Sequence, residues 1–315
     1  MKTVSAGPRK PLTPGQKKLY HIVKNYDLYL MLLPTVVFII VFAYVPMYGV
    51  TLAFKKYMPF EGIIGSPWIG FSHFERFFSN YKFTEILGNT LLISLYSFIA
   101  SFPAPILLAI SLNHLRNNKL KRIVQTVSYA PNFISTTVMV GMLLIYLSPT
   151  NGIVNQFLGL FGVDPINFMG EASLFKHIYV ISGIWQGTGF GSIIYLAALS
   201  GVDTNLYEAA TIDGANTLRK IVSIDLPTIQ PVIGILLIMS IGGIMNVGFE
   251  KIYLMQNDLN VAASEVISTY TYKVGLIDNR MDYSTAIGLF NSVINCILLL
   301  VANTIARKAD ETSLW

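Results

Sequence analysis

Six long apolar stretches, separated by shorter polar segments, dominate this chain of 315 residues. They run over about residues 29–54, 86–112, 124–147, 174–199, 229–247 and 285–305. A helix needs roughly 20 apolar residues to cross the hydrocarbon core of a bilayer, and each stretch has about that length or more. Because unpaired backbone groups are costly in lipid, the stretches are predicted to be helices rather than open strands.

The composition agrees with a chain whose outer surface faces lipid. Hydrophobic residues make up 53% of the sequence and charged residues only 12%, with a mean hydropathy of +0.56. A soluble globular domain carries roughly 25% charged residues. The sequence therefore predicts an all-α integral membrane protein with six transmembrane helices.

The first apolar stretch is predicted to remain in the protein. The apolar core of a signal peptide is only about 7–15 residues long, and no small-residue cleavage site follows this stretch. The six predicted spans divide the chain into four segments. They are a cytoplasmic N-terminal segment (1–27), the first helix with a long extracytoplasmic loop (28–85), a core of five helices (86–306) and a cytoplasmic tail (307–315).

The distribution of lysine and arginine predicts the orientation. If the N-terminus lies inside, the inside segments hold 14 of these residues and the outside segments hold 8. Basic residues accumulate in the cytoplasmic loops of membrane proteins. We therefore expect a multi-pass protein with both termini in the cytoplasm.

Several kinds of chemistry are unsupported by the sequence. The single cysteine, Cys296, cannot form an intrachain disulfide, and the four histidines have no metal-ligand spacing. No Gly-Lys dipeptide occurs, so the phosphate loop of an ATPase is absent from the sequence. The net charge of +5 comes from basic residues between the apolar stretches, which indicates membrane lipid rather than nucleic acid as the partner. We expect no catalytic residue, metal or bound cofactor in this chain.

The longest predicted inside loop, 200–228, has signals for two short helices. Asp203 or Thr204 can cap a helix over about 205–213, since its side-chain oxygen accepts a free amide. Gly214 permits a turn with positive φ. A second short helix is predicted to reach about residue 224, and Pro227 is expected to end it. Such an element could dock a partner, or it could be an amphipathic connector that rests at the membrane surface.

The spacing within 200–231 favours docking. Glu208-Ala209-Ala210 is followed after three residues by Gly214, and after nine more by Ile224 and then Leu226-Pro227. This pattern resembles the EAA signature of ABC importer permeases, in which the loop forms a coupling helix that fits a cleft of the ATPase subunit. The resemblance implies a coupling role for Glu208, Ala209, Ala210, Asp213, Gly214, Ile224, Leu226 and Pro227.

A second resemblance extends over about residues 28–310. The stretches 33–54 and 55–78, with Tyr129-Ala130-Pro131 and Trp185-Gln186-Gly187, resemble the LplB-type polysaccharide permeases, which are relatives of the MalF-like carbohydrate permeases. The resemblance implies a type I ABC importer permease fold in the bacterial cytoplasmic membrane. It also implies a heterodimer with a second permease subunit, two ATPase subunits that use ATP and Mg, and an extracytoplasmic solute-binding protein.

Polar residues inside membrane spans are costly, so each is a candidate for the solute pathway. Alternatively, such residues form hydrogen bonds between helices, worth about 0.6 kcal/mol on average. Asn291 and Asn295 are predicted to share one helical face, and so are Asn246 and Glu250. Three nearby glycines (Gly187, Gly189, Gly191) are predicted to allow close helix packing. The candidate pathway residues are Gln186, Asn246, Glu250, Asn291, Asn295 and Asn132, with Asn89, Ser94 and Ser135 as further polar positions.

The sequence thus favours a permease subunit that imports a carbohydrate, in particular an oligosaccharide, by alternating access. One alternative is the same architecture for an amino acid, a peptide or phosphate. Another is a stand-alone ion-coupled carrier or an intramembrane enzyme. The second alternative leaves the EAA spacing unexplained, and the predicted second, third, fourth and sixth spans lack the acidic residues that ion coupling needs.

Overall fold

The computed structural model describes residues 24–308, so the predicted N-terminal segment 1–27 and tail 307–315 lie mostly outside the described residues. Secondary structure in the described part is helical, apart from one isolated bridge between Lys55 and Trp68. The described part of the chain divides into two compact units, one ending at residue 51 and one beginning at residue 52.

The α-helices are numbered here in chain order. They are α1 Tyr26–Ile39, α2 Val45–Met47, α3 Gly62–Gly65, α4 Ser72–Phe78, α5 Phe83–Ser101, α6 Pro103–His114, α7 Asn118–Tyr129, α8 Thr136–Tyr146, α9 Ile153–Gly159, α10 Ala172–Leu199, α11 Thr204–Ile212, α12 Thr217–Lys220, α13 Leu226–Gly242, α14 Phe249–Met255, α15 Val261–Ser264, α16 Ile267–Tyr272 and α17 Met281–Lys308. Wider π-helical turns cover Ile40–Tyr44, Ile221–Asp225 and Lys273–Ile277, and 3-10 helix covers Tyr48–Phe54 and Ala130–Phe133.

Within residues 24–308, four helical segments are long and apolar enough to cross a membrane. They are Tyr26–Phe54, Phe83–His114, Thr217–Gly242 and Met281–Lys308. They correspond to the predicted first, second, fifth and sixth spans. In the second span, α6 follows α5 with Pro103 at its start, where the missing amide of proline breaks no hydrogen bond.

The predicted third span, 124–147, is not one straight helix. Asn118–Phe133 and Thr136–Tyr146 meet at an angle of 101°. Pro131 lies in the 3-10 turn before the bend, and the Ser135 hydroxyl caps α8 by accepting the amide of Val138. Ser135 therefore starts a new helix, and the predicted span 124–147 consists of two helical segments with a bend after Pro131.

The predicted fifth span also has different bounds. Prediction placed it at 229–247 with Pro227 ending the helix before it, whereas helical structure is continuous from Thr217 to Gly242. The π-helical turn Ile221–Asp225 comes immediately before Pro227. A wider turn accommodates the proline ring and its missing amide, so the chain passes Pro227 without leaving helical structure.

The 28-residue helix α10, which corresponds to the predicted fourth span, lies at the centre of the second unit. It packs against α5, α6, α7, α13 and α15. At 1.5 Å per residue a helix of this length exceeds the roughly 30 Å of a bilayer core. Polar residues such as His177 and Gln186 interrupt its apolar sequence, and it is not among the four segments above.

Glycine allows α10 to approach α7 closely. A Cβ atom on Gly189 would lie 1.9 Å from the carbonyl oxygen of Ser128, and one on Gly191 would lie 3.1 Å from Cγ of Pro105. The predicted packing role is confirmed for these two glycines. It is wrong for Gly187, which is exposed and would have nothing within 4 Å of a Cβ atom.

Candidate functional site

The 200–228 loop forms two short helices joined by a tight turn. Asp203 caps α11, since its side chain accepts the amide of Asn205 at 2.9 Å. Asn216 caps α12 in the same way through the amide of Arg219. Gly214, in the turn between them, has φ of +75°, which is a conformation that glycine adopts without strain.

Most of the residues in the EAA pattern are open to a partner. A cavity of about 220 Å³ beside α11 is lined in part by Ala210, Asp213 and Ile224. The exposed members of the pattern are Glu208, Ala209, Asp213, Gly214, Leu226 and Pro227, while Ala210 and Ile224 are half-buried. Apolar side chains on the same loop are exposed as well, with Ile212 at 87% and Leu218 at 71%.

A second feature is a groove of about 620 Å³ between α5, α6, α10 and α13, which we call the polar groove. Most of its lining surface is apolar and includes Phe98 and Phe102, and the name refers to the polar side chains that interrupt it. The lining contains no charged side chain among the described residues. The polar side chains in the lining are Ser94, Ser97, Ser101, Tyr179, Tyr195, Ser240 and Asn246.

Two hydroxyl groups of this lining have no partner. The buried oxygens of Ser94 and Ser97 make no hydrogen bond within the structure. A buried polar group without a partner costs free energy, so such groups call for an explanation. Both oxygens are shielded from solvent in this conformation.

Three predicted pathway residues meet at the rim of the groove. Oδ1 of Asn246 accepts hydrogen bonds from Asn291 at 2.9 Å and from Asn295 at 3.0 Å. Asn295 is buried and its own oxygen accepts the amide of Met245. The oxygen of Asn291 is buried without a partner. We call these three residues the amide trio.

The other three predicted pathway residues lie at the bend between α7 and α8. Gln186 donates to the carbonyl oxygen of Ile134, and Glu250 accepts from Thr137. Asn132 is exposed within the bend. None of the three lines the polar groove, and Asn246 and Glu250 do not share a helical face, because α13 ends at Gly242 and α14 begins at Phe249.

Sequence reasoning missed part of the groove. Ser97, Ser101 and Tyr179 line it but were not among the candidates. Ser94, Ser97 and Ser101 recur at spacings of three and four residues on α5. This spacing places them on one face of the helix and could have identified them as lining residues. Asn89, by contrast, donates to the carbonyl oxygens of Ala262 and Glu265 and holds the fold.

The charged side chain of Lys251 adjoins the groove without lining it. Nζ of Lys251 donates to the carbonyl oxygen of Tyr179 and lies 4.8 Å from the centre of its ring. Burial lowers the pKa of Lys251 to about 8.

At the end of the bundle formed by the 55–85 and 248–284 loops, buried Glu265 pairs with Lys82 at 3.1 Å and with Lys273 at 2.9 Å.

The sequence matches one characterised family over most of its length. Residues 101–311 match the family described as the binding-protein-dependent transport system inner membrane component. Among individual relatives, the protein LplB of Bacillus subtilis is 41% identical over 91% of this chain and 91% of its own length. The polygalacturonan/rhamnogalacturonan transport system permease protein YteP of Bacillus subtilis is 40% identical over 95% of this chain and 94% of its own.

Solved structures agree with the sequence comparison. A subunit of a bacterial ABC transporter involved in the import of the acidic polysaccharide alginate superposes with a TM-score of 0.88. It is 39% identical, and the match covers 94% of this chain and 100% of that one. A structure of bacterial alginate ABC transporter in complex with an alginate pentasaccharide-bound periplasmic protein gives a TM-score of 0.87, also at 39% identity, over 94% of this chain and 99% of that one.

Proposed function

This chain belongs to the binding-protein-dependent transport system inner membrane component family, and we propose that it is the permease subunit of an ATP-binding cassette importer for an oligosaccharide. YteP is named for the transport of polygalacturonan and rhamnogalacturonan, and the transporter in the superposed structure is involved in the import of alginate. ATP hydrolysis in such systems belongs to a separate subunit, so this chain is a transport subunit and not an enzyme.

The polar groove is the observation that carries the proposal. Its lining combines hydroxyl and amide groups with aromatic rings, and its serine hydroxyls at 94 and 97 lack partners. Hydroxyl and amide groups both donate and accept hydrogen bonds, which suits the many hydroxyls of a sugar. The amide trio at the rim adds one more unpaired acceptor, the oxygen of Asn291.

The EAA residues of the 200–228 loop are proposed to bind an ATPase subunit. The exposed carboxylates of Glu208 and Asp213 and the apolar side chains of Ile212 and Leu218 are arranged for this contact. ATP and Mg would be used by the partner, and no cofactor is assigned to this chain. Closure of the ATPase pair would then move α11 and reorient the helices that line the groove.

The assembly is proposed to contain a second, different permease subunit, two ATPase subunits and an extracytoplasmic solute-binding protein. The alginate transporter structure supports the last of these, since it holds a sugar-loaded periplasmic protein. We further propose six spans in the bacterial cytoplasmic membrane, with α10 and the bent pair α7–α8 as the fourth and third. Both termini would lie in the cytoplasm.

Uptake by cells that lack this chain tests the proposal. We expect deletion to abolish uptake of one class of labelled oligosaccharide and the wild-type chain to restore it. A Ser94→Ala/Ser97→Ala variant should restore uptake only at higher oligosaccharide concentration, because it removes two hydrogen-bonding groups from the groove. Normal oligosaccharide uptake in the deletion strain, with loss of amino-acid, peptide or phosphate uptake, would contradict the proposal.

A further inference from the structure

A buried aspartate lies beside the 200–228 loop with several side chains around it. Asp225 is fully buried, and its Oδ1 accepts the Tyr207 hydroxyl at 2.5 Å. Its Oδ2 lies 2.5 Å from Nε2 of His114. Asn113 donates to the Tyr207 oxygen at 3.1 Å and approaches Oδ1 of Asp225 at 3.5 Å. We call these four residues the Asp225 cluster.

The cluster joins three elements that are far apart in sequence. His114 and Asn113 end α6, Tyr207 belongs to α11, and Asp225 ends the π-helical turn before α13. It therefore connects the short helix α11 to the ends of two segments that are long and apolar enough to cross the membrane.

Helix α11 has little other attachment to the bundle. None of its residues is buried, and no other helix in the described part of the chain makes an extensive contact with it. A cavity of about 340 Å³, lined by Asn113, His114, Tyr207 and Lys220 among others, separates the loop from the end of α6. Apolar packing thus contributes little here, and side-chain hydrogen bonds link α11 to the two spans. Tyr207 makes those that reach the end of α6 and Asp225, and Lys220 adds one to Thr211 at 2.7 Å.

The chemistry of the cluster favours a rigid link. A buried carboxylate is stable only when hydrogen-bonded donors replace water. Burial, and then the hydrogen bond to Asp225, raise the pKa of Tyr207 to about 12, so its hydroxyl keeps the proton that it donates. Hydrogen bonds to a charged acceptor are shorter and stronger than those between neutral groups.

The position of these residues in the sequence connects the link to coupling. Tyr207 immediately precedes Glu208, and Asp225 lies between Ile224 and Leu226. Neither belongs to the EAA pattern itself. We propose that Asp225 is a positioning residue that fastens α11 to the ends of α6 and α13, so that the three elements move together when the ATPase subunits close. This inference rests on the proposed function.

The test compares ATP hydrolysed per oligosaccharide imported by the reconstituted complex. Tyr207→Phe removes one hydroxyl from a half-buried side chain and leaves the ring, so it should fold. We expect Tyr207→Phe and Asp225→Asn each to raise this ratio roughly tenfold, because a strong hydrogen bond to a charged group is lost or weakened. The double variant should resemble the worse single variant, because both changes break the same link.

Thr228→Val is the matched control. It removes a hydroxyl three residues from Asp225 that bonds only to the carbonyl oxygen of Ile224 in its own helix. The control should keep the wild-type ratio. A purely structural role for the cluster predicts less assembled complex with an unchanged ratio per complex, and that result would overturn the inference. Failure of the wild-type complex to import any oligosaccharide would instead overturn the proposed function.

Discussion

The side-chain amide of Asn295 donates a hydrogen bond to Oδ1 of Asn246, 3.0 Å away, and so joins α17 to the turn that follows α13. Asn246 lines the polar groove, whereas Asn295 is buried behind it. The two residues should therefore have different roles. Asn246 would face the solute, and Asn295 would hold Asn246 in place.

Alanine variants at the two positions test these roles. We expect Asn246→Ala to reduce oligosaccharide uptake and to lower the free energy of unfolding, because it removes the acceptor of Asn291 and of buried Asn295. Asn295→Ala should reduce uptake and also lower the free energy of unfolding by about 1 kcal/mol, because the amide of Met245 loses its acceptor. Uptake assays and thermal unfolding in detergent measure both effects. Asn132→Ala, exposed and outside the groove, is the control, and an equal loss of uptake in this variant would contradict the pathway.

A matched pair of glycines tests the packing of α10. Gly189→Ala would place Cβ 1.9 Å from the Ser128 carbonyl oxygen, whereas Gly187→Ala would meet nothing within 4 Å. We expect Gly189→Ala to destabilise the protein by about 3 kcal/mol through overpacking and Gly187→Ala to behave like the wild type. Thermal unfolding of the two variants side by side is the measurement. Equal melting temperatures would mean that α10 and α7 are not in close contact.

The Glu265 ion pairs predict acid sensitivity. Burial alone would raise the pKa of Glu265, but hydrogen bonds from Lys273 and Lys82 outweigh it and hold the pKa below its ordinary value of 4.5. A carboxylate with a depressed folded pKa contributes stability that is present above the unfolded pKa and is lost as pH falls through the folded pKa. The wild type should thus lose stability on acidification below pH 4.5.

Glu265→Gln provides the comparison for this pH dependence. The variant should be less stable at neutral pH, because it lacks the two ion pairs, and its melting temperature should fall less on acidification. Glu75→Gln, a change at an exposed residue of α4, should follow the wild-type curve. Parallel curves for wild type and Glu265→Gln would show that another group controls acid stability.

Cysteine labelling tests the proposed topology. In a Cys296→Ser background, Ser79→Cys should react with a membrane-impermeant reagent in intact cells, because the 55–85 loop is proposed to lie outside. Asn118→Cys, at the start of α7, should react only after the membrane is permeabilised. Both side chains are exposed in the folded chain, so a difference in labelling would come from the side of the membrane on which each residue lies. The opposite labelling pattern would reverse the orientation.

Local signals in the sequence predicted the loop best. Three such signals are the capping residue Asp203, the EAA spacing that begins at Glu208, and Gly214. Each acts over a few residues, and α11 and its turn form where these signals indicate. The apolar spans at both ends of the chain were predicted for the same reason, since length and hydropathy decide them.

Tertiary relationships could not be predicted in this way. The contact from Gln186 to Ile134 at the bend joins residues that are 52 positions apart. The continuity of helix past Pro227 depends on a π-helical turn that has no simple sequence signal. The Asp225 cluster remained unnoticed because His114 and Asp225 are separated by 111 residues.

The turn at Gly214 offers the cleanest way to disturb the coupling loop alone. Its φ of +75° costs a residue with a Cβ atom roughly 1–2 kcal/mol, and a β-branched residue suffers most. Asparagine tolerates this conformation better than other residues. No atom lies within 4 Å of a Cβ placed there, so Gly214→Val and Gly214→Asn differ in backbone preference rather than in a clash inside this chain.

The most direct measurement is ATP-driven oligosaccharide uptake by proteoliposomes that contain this chain, its proposed partners and the loaded solute-binding protein. We expect uptake by the wild type and by Gly214→Asn, and at least a roughly tenfold loss in Gly214→Val and in Glu208→Lys, whose reversed charge would repel a basic partner group. Wild-type uptake by both Gly214→Val and Glu208→Lys, or no uptake of any oligosaccharide by the wild-type complex, would contradict the account.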